Sequence, residues 1–328
     1  MPLHGPVLSV CIPTYNRCDL LNQGLLAIAQ QMLENCLGQV EIIVSDNASS
    51  DETPQFIERF TREYPEICLR YFRQSENFGA TRNICFAAQA TTGDFVYLLS
   101  DDDILLPGAL DKIIAEIQAH PNLDAICPRV SGFTVSPENV RPKHLGNDDL
   151  VMDRNLALTR LGRMLTFMSS VVFRKEAFCA ADLTNDVIFP HSIMFLAAIA
   201  REKGCLFLSH ECLAARANES VGYDLIQAFV TDFKSVLQYA EQTGYSPQTI
   251  RTVLSAHARW LAGAIYHFKK TSYRPSLKKR FGDALKVLAV WWREPIALLR
   301  VEAAIWLPFS FLGRLRMVFK FGRSSEIP

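Results

Sequence analysis

An α/β fold, built on a mostly parallel sheet with helices on both faces and followed by a C-terminal helical region, is what this 328-residue sequence predicts. Two observations carry that reading. Over the first 127 residues short apolar runs alternate with longer amphipathic ones, the pattern of strands joined by crossover helices. From residue 223 onward the spacing is helical, interrupted at Pro275, Pro295 and Pro308. The chain is long enough for two modest domains, expected at 1–221 and 222–328.

Each element has its own signature. Residues 7–12 are a strand-length apolar run that stops at Pro13, which cannot donate to a ladder. Residues 20–32 repeat Leu21, Leu25, Ile28 and Met32 at helical spacing. The run at 41–44 is β-branched and apolar, and 53–64 sets Phe56, Ile57 and Phe60 on one helical face. Residues 68–72 and 80–90 repeat the strand and helix pair. Residues 95–99 are apolar without alternation, as a strand covered on both faces is. An amphipathic stretch follows at 108–120, and 125–127 begins another strand. Beyond residue 128 the alternation turns irregular, with strand-like stretches at 130–135 and 170–173, a polar insertion at 136–154 and a helix-like stretch at 192–201.

Charge is unevenly distributed. The totals cancel, 34 Lys and Arg against 34 Asp and Glu, yet residues 251–328 hold 15 basic and 4 acidic side chains. That excess of 11 positive charges is balanced by an equal negative excess over residues 1–250. An acidic body argues against nucleic-acid binding by that part; a basic, aromatic-rich tail suits an anionic membrane surface, with plain solvation as the alternative. The nine cysteines are scattered and contain no C-x-x-C pair. Neither a disulfide framework nor a zinc cluster is expected, and the thiols read as buried in a reducing compartment. The first strand follows six residues that lack a basic or apolar leader, and no apolar run reaches the roughly 18 residues of a spanning helix. The expected location is cytoplasmic, on a membrane rather than through it.

Ligands in parallel α/β sheets bind at the carboxyl ends of the strands. The loops there are polar: Pro13-Thr14-Tyr15-Asn16-Arg17, residues 46–51, and Ser100-Asp101-Asp102-Asp103. Three consecutive aspartates after a buried strand repel one another. A hard divalent cation, Mn2+ or Mg2+, shared with substrate phosphates would neutralise them; an acidic cap for the next helix is the alternative, one that Pro107 and Gly108 push away. Asp46 ends the second strand where a nucleotide base or ribose would lie, while residues 47–53 read equally well as a turn and helix cap. Arg82 sits early in a helix, where the dipole disfavours a cation, so a phosphate contact or a surface ion pair would explain it.

Four ordered stretches, 10–17, 43–49, 77–83 and 93–103, resemble the successive motifs of the large glycosyltransferase 2 family. The resemblance implies a GT-A fold (Rossmann-like), a nucleotide-diphosphate sugar donor, a divalent metal and inversion at the anomeric carbon. Carried onto this chain, it implies that Pro13, Tyr15 and Asp46 face the nucleoside, Arg82 the diphosphate or nucleoside side, Asp101 the ribose or sugar, and Asp102 the metal, with Asp103 as a second metal candidate. Thr14, Asn16, Arg17 and Asn77 complete the donor-binding set. The family's Asp-x-Asp starts here on Ser100, which leaves the division of labour among the three aspartates open.

The stretches 167–176 and 189–192 are similar to the abequosyltransferase-like branch, which transfers sugars to lipid-linked glycans for bacterial surface polysaccharides. An inverting transferase needs a base for the acceptor hydroxyl. His191 occupies the place before a helix that an aspartate holds in most of the family, and an imidazole with its ordinary pKa of about 6.5 suits the task. Asp186 is the alternative, and a structural His191 a further one. Arg216, closing the catalytic half, is another diphosphate candidate.

Other signatures fail: there is no Gly-Lys pair for a P-loop, a single glycine in 77–83, and Ala214 where a zincin needs histidine. The expected activity is metal-dependent inverting transfer to a polyprenyl-diphosphate-linked glycan at the inner face of the cell membrane, serving O-antigen, capsule or exopolysaccharide synthesis. A nucleotidyltransferase using the same aspartates and a non-catalytic nucleotide-sugar-binding or scaffold protein are the rivals. For the tail, packing of its aromatics onto the catalytic part rivals membrane contact.

Overall fold

The computed structural model describes residues 5–133, 142–178, 188–216, 224–271, 276–291 and 293–307. They fall into two compact units, one from the described parts of 1–157 and 166–217, the other from those of 158–165 and 218–327.

In the first unit, β1 (Leu8–Thr14), β2 (Val40–Asp46), β3 (Leu69–Arg73) and β4 (Phe95–Leu98) run parallel in the order β3-β2-β1-β4. Every residue of β2 and of β4 is buried, the lack of alternation expected of a sheet covered on both faces. The covering helices are α1 (Cys18–Gln31), α2 (Thr53–Glu63), α3 (Ala80–Gln89) and α4 (Ala109–Ala119). α1 buries Leu21, Leu25 and Ile28, and α2 buries Phe56, Ile57 and Phe60 behind a proline in its first turn, where no amide is lost. Thr14 pairs with Asp46 and Cys11 with Leu98, so the loops leaving β1, β2 and β4 open on one edge.

Beyond β4 the ladder is mixed. β5 (Ile104–Leu105), β6 (Ala125–Phe133), β7 (Asp149–Val151), β8 (Val172–Arg174) and β9 (Cys205–Arg216) continue the same sheet. β8 is antiparallel to β4 and β6; β9 is parallel to β6 and antiparallel to β5 and β7. The two strand-like stretches predicted at 125–127 and 130–135 are one strand, β6, whose register against β9 shifts on either side of Arg129, next to Pro128. The twelve-residue β9 is a strand the sequence did not announce, because Ser209-His210-Glu211 interrupts its apolar pattern. Two short helices, α5 (Arg154–Leu161) and α6 (Lys175–Phe178), precede α7 (Pro190–Ile199), all ten residues of which are buried.

The second unit holds α8 (Phe233–Gln242), α9 (Pro247–Thr271), α10 (Leu277–Trp291) and α11 (Pro295–Trp306). His257 is stacked on Phe233 at 3.9 Å, with Phe229, Trp260 and Trp291 around it, and its Nε2 lies 2.8 Å from the Phe229 carbonyl. Among the described residues no helix is long and apolar enough to cross a membrane. Arg274, Trp292 and the final aromatic and basic residues from 308 onward lie outside the described residues.

Candidate active site

Three loops at the carboxyl edge are tied to one another by side-chain amides and carboxylates. Asn16, in left-handed backbone at φ +53°, accepts the Ser50 amide at 2.7 Å and donates its own amide to the Ser49 hydroxyl at 2.9 Å. Asp51 accepts the Cys18 amide at 3.0 Å, and the Thr53 amide and hydroxyl at 3.0 and 2.6 Å, so one carboxylate serves the starts of both α1 and α2. Burial pushes Asp51 up, but these hydrogen bonds prevail and hold it below the usual carboxylate range. Asn47 donates to Asn77 at 2.7 Å and accepts the Phe78 amide at 2.9 Å, and Asn83 on α3 donates to the Ser45 carbonyl at 2.9 Å.

Asp46 sits inside this rim rather than on it. It has no exposed surface; one oxygen accepts the Ser49 amide at 2.8 Å, the other the Tyr71 hydroxyl at 2.5 Å, with Arg73 Nε at 3.7 Å. Asp46, expected to face a nucleoside, also shapes the β2–α2 turn through the Ser49 amide. Of the expected donor-binding groups, Tyr15 (43% exposed), Asn16, Arg17, Asn77 and Arg82 are exposed and Pro13 is half-buried. Among the described residues Arg82 forms no ion pair.

The three aspartates point to different partners. Asp101 accepts the Thr14 hydroxyl at 2.8 Å and the Arg17 guanidinium at 2.9 Å. Asp102 accepts the Ser100 hydroxyl at 2.6 Å and meets the same Arg17 Nη1 at 3.3 Å. Asp103 accepts the Ser169 hydroxyl at 2.6 Å and the Arg216 amide at 3.2 Å. Burial pushes Asp101 up to about 6, Arg17 opposing and Asp102 adding to the shift. Burial and then the charge of Asp102 push Asp103 up to about 7. Asp103 is thus turned into the protein, with both oxygens occupied, whereas the partners of Asp102 include the Ser100 hydroxyl and a half-exposed arginine.

Among the described residues no three His, Cys, Asp or Glu side chains converge on one point. The donor set still suits a hard divalent cation of the kind that takes one or two carboxylates and completes its shell with substrate phosphates. Asp102 has the carboxylate for it, and the guanidinium of Arg17 already sits where positive charge is needed.

Sequence reasoning did not single out Ser169 or Gln23. Ser169, fully buried, donates to Asp103 and accepts the Ser100 amide at 2.9 Å, while its carbonyl accepts the Tyr97 hydroxyl at 3.1 Å. Gln23 accepts from Arg216 at 3.0 Å, and that guanidinium lies 4.7 Å above the Phe133 ring with Nε 3.4 Å from the Asp102 carbonyl. No local motif signals either, since both act across more than sixty residues of chain. Arg216 is therefore beside the aspartates, as a diphosphate-binding group needs to be.

His191, in the first turn of α7, is nearly sealed off at 9% exposure, its ring edge-on to Phe189 at 5.9 Å. Neither ring nitrogen has a hydrogen-bond partner of good geometry, although the Thr166 backbone acts on it weakly. Burial drives it down to about 4, below the near-neutral range expected of it, so the resting imidazole is neutral at physiological pH and has a nitrogen lone pair to accept a proton. Asp186 lies outside the described residues.

Comparison with known proteins agrees with this geometry. The profile of Glycosyl transferase family 2 matches residues 9–194, more than half of the chain. Abequosyltransferase RfbV of Salmonella typhimurium is 28% identical over 213 residues, 61% of this chain and 63% of that protein. The GalNAc(5)-diNAcBac-PP-undecaprenol beta-1,3-glucosyltransferase of Campylobacter jejuni is 36% identical over 110 residues, 33% of this chain and 34% of that one. The matched stretch thus spans less than two thirds of either relative. Among solved structures, S. aureus TarS 1-349 superposes with a TM-score of 0.62 at 16% identity, covering 91% of this chain and 90% of that one. The mannosyltransferase PcManGT of Pyrobaculum calidifontis, solved with GDP-Man and Mn2+, gives 0.55 at 17% identity over 97% and 89%. With a GT-A-like α/β unit, C-terminal helices and the family's motifs gathered along one sheet edge, this chain belongs to glycosyl transferase family 2.

Proposed function

We propose that this protein transfers a sugar, with inversion at the anomeric carbon, from a nucleotide-diphosphate sugar to a hydroxyl of a polyprenyl-diphosphate-linked glycan during bacterial surface-polysaccharide synthesis. The observation that carries it is the cluster at the carboxyl edge of the sheet, where Asp101 and Asp102 meet the half-exposed Arg17 and Arg216 lies alongside. Tyr15, Pro13 and Arg82 would meet the nucleoside and phosphates, and Asp101 the ribose or sugar. A divalent cation, Mn2+ or Mg2+, would be held by Asp102, with Asp103 behind it, and would supply charge neutralisation for the departing diphosphate. In the transfer step the acceptor oxygen forms a bond to the anomeric carbon as the bond to the diphosphate oxygen breaks on the opposite face. The acceptor's proton passes to His191 or Asp186. The unpartnered nitrogens of His191 support its candidacy, since a buried polar group without a partner calls for a role. The lipid-linked acceptor, and with it work at the cytoplasmic face of the membrane, draws on the acceptor named for the Campylobacter relative and on the basic tail.

Release of nucleoside diphosphate from a panel of UDP-, GDP-, CDP- and dTDP-sugars tests the reading. Turnover should need Mn2+ or Mg2+, and Asp102→Asn should lower kcat by about 10²- to 10³-fold. Pyrophosphate released from a nucleoside triphosphate instead, or turnover indifferent to chelator, would overturn it. His191→Ala lowering kcat by about 10²-fold or more with unchanged donor affinity would assign the base; the same loss in Asp186→Asn alone would move it there.

A further inference from the structure

Five large apolar side chains of the helical unit stand in solvent. Phe281 (54% exposed), Leu285 (63%) and Leu288 (48%) are on α10, and Ile296 (64%) and Leu299 (68%) on α11. Spacings of four and three residues put the α10 trio in one stripe, and a spacing of three does the same for the α11 pair. Other faces of the same helices are already used: Ala284, Val287 and Trp291 of α10 and Ala297, Val301 and Ala304 of α11 are buried. These helices are therefore apolar over a wide arc, one part of it closing a core and the other facing water. Phe281 packs edge-on against Trp306 at 4.8 Å, joining the start of α10 to the end of α11, so both stripes belong to one antiparallel pair.

Charge says what covers this face. Residues 277–306 hold six Lys and Arg (Lys278, Lys279, Arg280, Lys286, Arg293 and Arg300) against Asp283, Glu294 and Glu302. The whole of 251–328 is more one-sided still, with 15 basic and 4 acidic residues. A partner with an apolar layer beneath an anionic one satisfies both features, and a phospholipid bilayer rich in anionic headgroups is that partner. We propose that the α10–α11 pair is the membrane-docking surface: Phe281, Leu285, Leu288, Ile296 and Leu299 enter the headgroup–acyl boundary and basic side chains of the same segment, Lys286 and Arg293 among them, meet lipid phosphates. The proposal rests on the reading of a membrane-bound acceptor and gives that reading its surface.

Flotation of the full chain with vesicles tests it. Phosphatidylcholine vesicles containing about a third phosphatidylglycerol should carry the protein, pure phosphatidylcholine should carry much less, and raising salt from about 0.1 M to about 1 M, which shortens the screening length from ~10 to ~3 Å, should release part of it. Leu285→Glu with Leu299→Glu should cut the floated fraction at least tenfold at both salt levels, whereas Lys286→Gln with Arg293→Gln should act at low salt alone. Far-UV circular dichroism and donor turnover, both expected unchanged in these variants, report that they fold. Wild type that fails to float with anionic vesicles overturns the proposal, as does an undiminished Leu285→Glu/Leu299→Glu protein, or a dimer, seen by sedimentation, that those two substitutions split. Donor turnover without vesicle binding removes the docking surface and leaves the transferase; vesicle binding without turnover does the reverse.

Discussion

Arg17 spans Asp101 and Asp102 from a side chain 46% exposed, so it can swing away into water while the carboxylates stay behind. A guanidinium and a divalent cation compete for the same negative charge. Arg17→Ala should therefore tighten Mn2+ binding in the absence of nucleotide, by about tenfold on calorimetric titration, while lowering thermal stability because Asp101 loses its counter-charge in a buried place. An unchanged Mn2+ affinity would show that Asp102 is not where the cation goes. The acidic run was legible in the sequence because three adjacent aspartates after a buried strand have few bland explanations. Which partner each of them takes was not legible: that depends on Thr14, Ser169 and Arg216, brought in from distant segments. The same holds for His191, whose place before a helix could be read from the chain but whose burial is set by α7 as a whole.

At the scale of elements, the parallel half of the sheet is fixed at its lower edge by Glu41. That carboxylate, 1% exposed, accepts the Ser9 hydroxyl at 2.6 Å, the Thr92 amide at 2.5 Å and the Gly93 amide at 3.2 Å, joining β1, β2 and the approach to β4. Gly93 is part of the packing: a β-carbon there would lie 2.8 Å from Ser9 Oγ, closer than real contacts come, and 3.0 Å from the Leu8 carbonyl carbon and the Ser9 nitrogen, tighter than most. Gly93→Ala should cost about 1–3 kcal/mol, read from chemical denaturation, because two of those atoms are backbone and cannot step aside. Equal stability would mean the β3–β2–β1–β4 register is looser than described. Strand and helix alternation up to residue 120 was readable because each element there has one period throughout. β9 escaped because its middle is polar, and β5 and β7 because two or three residues carry no period at all.

Across the whole molecule two buried imidazoles make stability depend on acidity. His191 and His257, one in each unit, are both driven by burial to about 4. The unfolded chain takes up these protons first, near about 6.5, so their contribution is complete above that pH and is lost as pH falls toward 4. Raised Asp101 and Asp103 pull the other way over part of the range, so the difference from a variant isolates the imidazole. His257→Phe keeps a ring against Phe233 but leaves the Phe229 carbonyl without its donor, costing about 1–3 kcal/mol at pH 8. That gap should narrow or close at pH 5; a gap that stays constant between the two would exclude His257 as a source of acid lability. The charge asymmetry of the chain was visible in composition alone, whereas these two histidines were not, because nothing local distinguishes a sealed imidazole from a solvated one.

The amide links among Asn16, Ser49, Ser50, Asn47 and Asn77 tie the loops to one another through protein groups alone. Ordering a loop on binding consumes affinity, and here that entropy is already settled during folding. A donor of the right shape would meet a stiff rim and keep what its contacts supply. One of the wrong shape would find loops that do not relax around it, so under the proposed function stiffness itself would be a filter among nucleotides.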